Sequence, residues 1–303
     1  MAGDIELPPP FPRAASSAVE PQHLLLTVLG DYWFGRTEGV PSAALVDLLA
    51  EFGASESAAR QAVRRLAVRG LLVQSKHGRS TSYARPPMTE EISRARMQRA
   101  MRFGAHSPDW DGWWTVVSFS VPERERDVRR QLRAGLRQLH FGLLYDANWI
   151  TPHDRVAEAT ELLDRLGIDA GVVMKARPQL RDGQSISYVD AFELGDLAAE
   201  YHRFIERYGS AAPDARDGRF APADALVLRT TLMSEWLSFR ITDPELPDEL
   251  LPDDWPRHRA REVFVEVYDA LAEIAAVRVR QILDRHAPGL AAGVSFHLAR
   301  DAG

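Results

Sequence analysis

The sequence predicts an α+β protein in three successive parts: an N-terminal winged helix-turn-helix, a central ferredoxin-like β-α-β-β-α-β domain and a C-terminal helical domain. Three observations carry this prediction. Helix, helix, turn, basic helix and basic hairpin follow one another over residues 21–85. From Trp113 to Ala176 the apolar pattern switches between strand and helix periods in the split βαβ order. From Leu194 onward apolar residues recur at helical spacing. The expected division is 1–20 disordered tail, 21–88 winged helix, 89–110 linker helix, 111–190 central domain, 191–290 helical domain and 291–303 tail.

In the first part, residues 22–34 form a long Leu-rich run with Pro21 suited to a first helical turn. Residues 42–51 place Leu45, Leu48 and Leu49 on one buried face, and Phe52-Gly53-Ala54 makes a turn. Ser55 is a good N-cap because its hydroxyl accepts an otherwise unpaired N–H, and Glu56 complements the positive end of the helix dipole. The helix it opens runs to about Arg69 and stops at Gly70. At about 100° per residue, Ala59, Ala62, Val63, Leu66 and Ala67 fall inward, while Ser57, Arg60, Gln61, Arg64 and Arg65 face outward. That outer face has the chemistry of a recognition helix: Arg donates twice to guanine, Gln pairs with adenine, and short hydroxyls reach phosphate or base. Leu71-Leu72-Val73 reads as a strand, Lys76-His77-Gly78-Arg79 as a basic turn and Ser80–Tyr83 as the returning strand. The expected DNA-binding residues are therefore Ser55, Ser57, Arg60, Gln61, Arg64, Arg65, Lys76, His77, Arg79 and Ser80.

Charge supports this assignment. The chain of 303 residues carries a net −6, yet residues 55–102 hold eleven Arg or Lys against three acids. A basic segment on an acidic body is the electrostatic footprint of a nucleic-acid module joined to something else. Forty-five per cent hydrophobic content is ordinary for a globular protein. No run approaches the roughly 20 apolar residues that span a bilayer, and Pro8, Pro9, Pro10 and Pro12 interrupt any signal-like segment. A cytoplasmic protein without membrane attachment is expected. With no cysteine, disulfides, thiolate chemistry and Cys-ligated zinc are excluded.

Pro86-Pro87 leads into a basic helix, Ile92 to Arg102, that either follows the DNA backbone or joins domains. The central domain then reads as strand 113–121, helix 123–139 with Val128, Leu132, Leu136 and Leu139 inward, strands 142–145 and 148–150, helix 154–166 and strand 170–176. Leu197, Tyr201, Phe204, Ile205 and Tyr208 form the next amphipathic face, and further helices cover about 223–239 and 259–284. Between them, the prolines at 244, 247, 252 and 256 exclude a long helix, and the acids of 243–254 suggest a surface strap rather than a metal site. Metal-dependent hydrolysis needs clustered carboxylates, and strand 113–121 holds no Asp. Neither catalytic residues, a metal site nor a cofactor is expected, since no phosphate-cradling glycine loop or nucleophile motif is present.

Three blocks resemble one family. LLLTVLGDYW, ASESAARQAVRRLAVRGLLV and KHGRSTSYA resemble the N-terminal domain of the PaaX family, the phenylacetic-acid degradation repressors. Trp110–Glu123 is similar to that family's central segment, and Asp243–Pro256 to its C-terminal signature. The resemblance implies a homodimeric, GntR-like repressor of a catabolic operon that binds double-stranded operator DNA and is released by an aryl-CoA thioester. Its central domain would be of the Cas2-like kind. An acyl- or aryl-CoA effector needs an aromatic surface and cations. Candidates are Arg126 and Arg130 in the cluster with Arg124 and Arg129, and Trp236 with Phe239 and Arg240, although packing in the core is the favoured reading of the two rings; Arg177 and Arg181 form a second basic group. The alternatives are a Cas2-like metal-dependent nuclease with a DNA-binding head, and an interaction module whose winged helix binds protein.

Overall fold

The structure, a computed structural model, describes residues 20–78, 80–107, 109–177 and 188–302. The tail expected over 1–20 therefore lies outside the described residues except for Glu20, and Arg79 and Arg181 lie outside them too. The chain packs as two compact units. Among the described residues, one comprises those from Glu20 to Phe103 with Ile205–Ser238 and Arg259 to Ala302; the other comprises those within Gly104–Phe204 and Phe239–His258.

In the first unit, α1 (Pro21–Tyr32), α2 (Ser42–Ala50) and α3 (Glu56–Val68) pack around Leu25, Leu45, Leu49 and Leu66, all fully buried. Each such side chain contributes on the order of 2 kcal/mol. The strands are β1 (Val40–Pro41), β2 (Val73–His77) and β3 (Ser80–Ala84), in the antiparallel order β1-β3-β2. The expected two-stranded hairpin thus gains a third strand, with Val40 opposite Tyr83. It also begins later than its sequence suggests. Leu72 is buried beneath the end of α3 instead of entering the strand.

That helix end is a Schellman turn. Gly70 N donates to Ala67 O and Leu71 N to Leu66 O, with Gly70 at φ +70°. A Cβ there would meet no neighbour, so any penalty comes from the left-handed backbone alone. Gly70→Ala is expected to cost about 1 kcal/mol, measured as a lower urea midpoint at unchanged slope.

The helix α4 (Pro87–Arg102) starts at the proline pair and is no exposed linker: Met97, Ala100 and Met101 are buried. Helices that follow α7 (Leu194–Gly209) and α8 (Ala212–Arg216) in the chain cover it. The stretch of α9 (Pro222–Thr242) up to Ser238 places Trp236 so that its Nε1 donates to Ala100 O at 2.9 Å. Arg261 on α10 (Arg257–Ala270) donates to Met101 O and Phe103 O. From α11 (Ala272–His286), Arg278 donates to Glu51 at 2.7 Å, and the His286 ring meets Asp47 at 2.8 Å. The single helix expected over 259–284 is interrupted at Leu271, whose side chain is fully buried.

Residues 291–302 do not trail away as the expected tail would. Ala299 N and Arg300 N donate to the Asp269 carboxylate, Ser295 N to Tyr32 O, and Phe34 stacks on His297 at 3.7 Å. Backbone bonds hold this irregular segment, so it carries no apolar period to read. Beneath it lies a buried ionic knot. Arg229 and Asp31, both fully buried, approach to 3.5 Å. Arg229 also donates to Tyr268 O and His297 O, while Tyr268 Oη donates to Asp31 Oδ1 at 2.9 Å.

In the second unit, β4 (Trp114–Phe119), α5 (Arg126–Gln138), β5 (Gly142–Tyr145), β6 (Asn148–Thr151), α6 (Val156–Arg165) and β7 (Gly171–Ala176) follow the predicted order. The sheet runs β5-β6-β4-β7 and every pair is antiparallel, which is the ferredoxin-like arrangement. Its core joins Val117, Phe119 and Trp149 of the sheet to Leu132 and Leu136 of α5 and Leu162 and Leu163 of α6.

Candidate nucleic-acid interface

The surface of α3 is built from its cap outward. Ser55 Oγ accepts the Ala58 N–H at 3.2 Å, fixing the first turn. Ala59, Ala62, Val63 and Leu66 are buried, so the remaining face is committed to solvent. Ser55, Ser57, Gln61, Arg64 and Arg65 are exposed there, as is Arg60. Ser55, Glu56, Ser57, Arg60, Gln61 and Arg64 together line a surface concavity of about 580 Å³. Five of the six expected α3 and cap residues thus converge on one depression; Arg65 lies outside its lining.

Arg60 is not a free cation. Its Nε and Nη2 both donate to Glu56 Oε1, at 2.9 and 2.7 Å. The expected reader is therefore held by the first residue of its own helix.

Lys76 sits within β2 opposite Thr81, and His77 pairs with Ser80, so both belong to the strand ladder rather than to the turn. Gly78 at φ +60° forms the described part of the tip. Lys76 and Ser80 are exposed.

One arginine of the basic segment has no place at the surface. Arg85 is 6% exposed, donates to Leu29 O, and pairs with Glu90 at 3.3 Å. Burial lowers its pKa, with Glu90 opposing. Glu90 Oε1 also accepts the Gly35 N–H, so this pair fastens α4 to the loop after α1.

The expected effector residues lie in different settings. Arg126 and Arg130 are exposed on α5, with Arg130 paired to Asp127 at 3.0 Å. Trp236 is corrected: it is fully buried, stacked on Phe264 at 4.6 Å and edge-on to Phe103. A ring with no access to solvent offers nothing to a ligand. Arg240 is half-buried.

Sequence reasoning passed over a second concavity, of about 510 Å³, lined by Trp110, Trp113, His153, Arg155, Lys175 and Pro247 among others. Arg177 lies 4.8 Å over the Trp113 ring and donates to Asp111 O. The only sequence signal was the tryptophan cluster itself. Its cations are already engaged, since Lys175 donates to Asp154 and Arg155 to Glu158. Burial lowers the His153 pKa, and its Nε2 meets Pro244 O at 2.8 Å.

The acidic segment proves to be an internally bolted strap, and part of it is buried. Asp243 is 1% exposed and accepts the Tyr201 hydroxyl at 2.6 Å. Arg257, itself 2% exposed, donates to Leu246 O and Asp248 and lies 3.6 Å from Asp243.

A capped helix with a polar, basic outer face, joined to a basic β-hairpin and followed by ferredoxin-like and helical parts, defines a winged-helix regulator of the DNA-binding class. Three matches give the family. Residues 20–85 match the PaaX-like protein model, 107–185 the PaaX protein central Cas2-like domain, and 192–281 the PaaX-like protein C-terminal domain. The chain belongs to the PaaX family of transcriptional regulators. It is 26% identical over 266 residues to the transcriptional repressor PaaX of Escherichia coli (strain K12), across 85% of this chain and 82% of that one. Its fold is similar to that of the uncharacterized protein Rv0674 from Mycobacterium tuberculosis, with a TM-score of 0.53 and 24% identity, covering 86% of this chain and 99% of the other.

Proposed function

We propose that the protein represses a catabolic operon, binding its operator as a homodimer through α3 and the wing, and leaves the operator when an acyl- or aryl-CoA effector binds. The observation that supports this best is the exposed concavity of Ser55, Ser57, Arg60, Gln61 and Arg64 on a helix whose opposite face buries Ala59, Ala62, Val63 and Leu66. Two such helices on a dimer would meet half-sites about one helical turn, or a multiple of it, apart. The effector would favour a spacing of the two heads that no longer fits. The exposed Arg126 and Arg130 remain the proposed effector contacts, with Arg240 beside the strap; Trp236, being core, leaves that set.

The divisions at 21–88, 89–110, 111–190 and 191–290 are kept as the proposed domain sequence. A cytoplasmic location and the lack of enzymatic activity belong to the same proposal. None of the described helices is long and apolar enough to cross a membrane. No observation favours the nuclease alternative: the strand Trp114–Phe119 carries no carboxylate.

Selection from random duplexes with the pure protein tests the reading. The expected result is enrichment of a palindromic site, and failure to enrich any sequence at moderate salt overturns it. On that site, Arg64→Ala is expected to lose about 1–3 kcal/mol at one or two base positions. Arg79→Ala should weaken binding evenly across sequences and lower the salt slope by about 1. Equal, sequence-independent losses from both variants would contradict the assigned roles.

A further inference from the structure

We infer that Glu56 is a specificity-determining residue: it holds Arg60 in one orientation, end-on to a guanine, and so sharpens the reading of one base pair at the expense of overall DNA affinity. This rests on the proposal that α3 reads the major groove.

The argument begins with which hydrogens remain. A guanidinium has five N–H donors in a fixed fork. In Arg60, the Nε–H and one Nη2–H point at Glu56 Oε1, at 2.9 and 2.7 Å. The donors left are the two on Nη1 and the second on Nη2. These form the end-on edge of the fork, and two parallel N–H groups there match guanine O6 and N7. Adenine presents its N6 amino donor at that place, so a fixed end-on fork rejects it.

An exposed arginine without a partner reaches many acceptors, including phosphates that carry no sequence information. It also loses rotamer freedom when it settles on a base. The Glu56 carboxylate reduces both effects. It is one turn away at i,i+4, on the N-terminal side, which is the favourable order for such a pair. The pair lies on the lining of the same concavity as Ser57, Gln61 and Arg64, so it faces the surface that would enter the groove.

A carboxylate on a DNA-facing surface has a cost, because it repels phosphate. Glu56 contributes helix-dipole stabilisation as the first residue of α3, but any acidic residue on a less exposed side of that first turn would do the same. For stability, an exposed i,i+4 pair is worth little. Its placement is explained by what it does to Arg60.

The test compares the full-length wild type with Glu56→Ala, Glu56→Gln and Arg60→Ala on the enriched site and on duplexes substituted at each position. Glu56→Ala is expected to bind unrelated duplex roughly threefold more tightly at low salt, since one negative charge leaves the interface. Its discrimination for guanine should fall at least roughly fivefold at one position, the position at which Arg60→Ala loses discrimination. Glu56→Gln, which keeps a neutral acceptor for Arg60, should fall between Glu56→Ala and wild type. The double variant should lose nothing beyond Arg60→Ala at that position. A merely structural role would weaken binding at all positions together and lower the thermal midpoint, which overturns the inference. So does an unchanged discrimination profile in Glu56→Ala on a site that the wild type enriches. Failure of the wild type to enrich any site overturns the DNA-reading proposal and, with it, this one.

Discussion

Arg229→Ala is expected to destabilise the unit carrying the winged helix by about 3–5 kcal/mol, the usual result of removing one partner from a buried ion pair. Three losses combine. Asp31 is fully buried and keeps only the Tyr268 hydroxyl; Tyr268 O and His297 O each lose a guanidinium donor; and the guanidinium 3.7 Å over the Tyr268 ring leaves a hollow. For a domain of this size the loss corresponds to a midpoint lowered by roughly 10 °C. The effect should also depend on pH. Burial already pushes Asp31 up to about 6, with Arg229 and the Tyr268 hydrogen bond pulling it down. Without Arg229 the carboxyl rises further. A group whose folded pKa lies above its unfolded value favours the folded state at low pH and loses that contribution as pH rises through the folded pKa. The deficit of the variant relative to wild type is therefore expected to be larger at pH 8 than at pH 5, read from urea midpoints at both. A deficit under 1 kcal/mol at pH 8 would show that the knot contributes little.

What could be read from the chain, and what could not, follows the range of the interactions. Ser55 capping α3 is a contact across three residues, and the sequence contains both ends of it. The order of the central domain was legible because Leu132 and Leu136 in α5 and the β-branched residues of β4 repeat with different periods. The division of α3 into a buried and an exposed face was legible for the same reason: Ala59, Ala62, Val63 and Leu66 on one side define the other. Trp236 lies beyond the reach of local periodicity. On an isolated helix, a Trp near a Phe and an Arg suits both a ligand platform and a core. Its bond to Ala100 O spans 136 residues and decides for the core. Arg85 fails similarly, because a local count of charges cannot know that Glu90 and Leu29 O will enclose it.

The Glu56–Arg60 pair was visible as a spacing but not as a geometry. Residues four apart on a helix meet, yet only the folded helix shows both donors converging on one oxygen. The same distinction applies to the last segment. Ser295, His297 and Ala299 are held largely through backbone atoms and ring stacking, to which the identity of individual side chains contributes little pattern.

The acidic strap leads to the second large effect. Arg257→Ala is expected to cost the second unit about 3–5 kcal/mol, because the carboxylates that Arg257 holds are unequally exposed. Asp243 has almost no access to water and would keep the Tyr201 hydroxyl and the Glu245 N–H. Leu246 O would lose its guanidinium donor, while Asp248, 44% exposed, can turn to solvent. The strap should therefore loosen first at Asp243–Leu246, seen as faster amide exchange there than in β4 and β6. Arg257→Lys separates charge from shape: an ammonium keeps the charge beside Asp243 but cannot span Leu246 O and both carboxylates with a planar fork. It should recover part of the loss. Asp243→Asn in the Arg257→Ala background should recover some of it too, since it removes the uncompensated buried charge. If Arg257→Ala and the double variant unfold at the same midpoint, the buried charge is not what the arginine serves, and its bond to Leu246 O accounts for the loss.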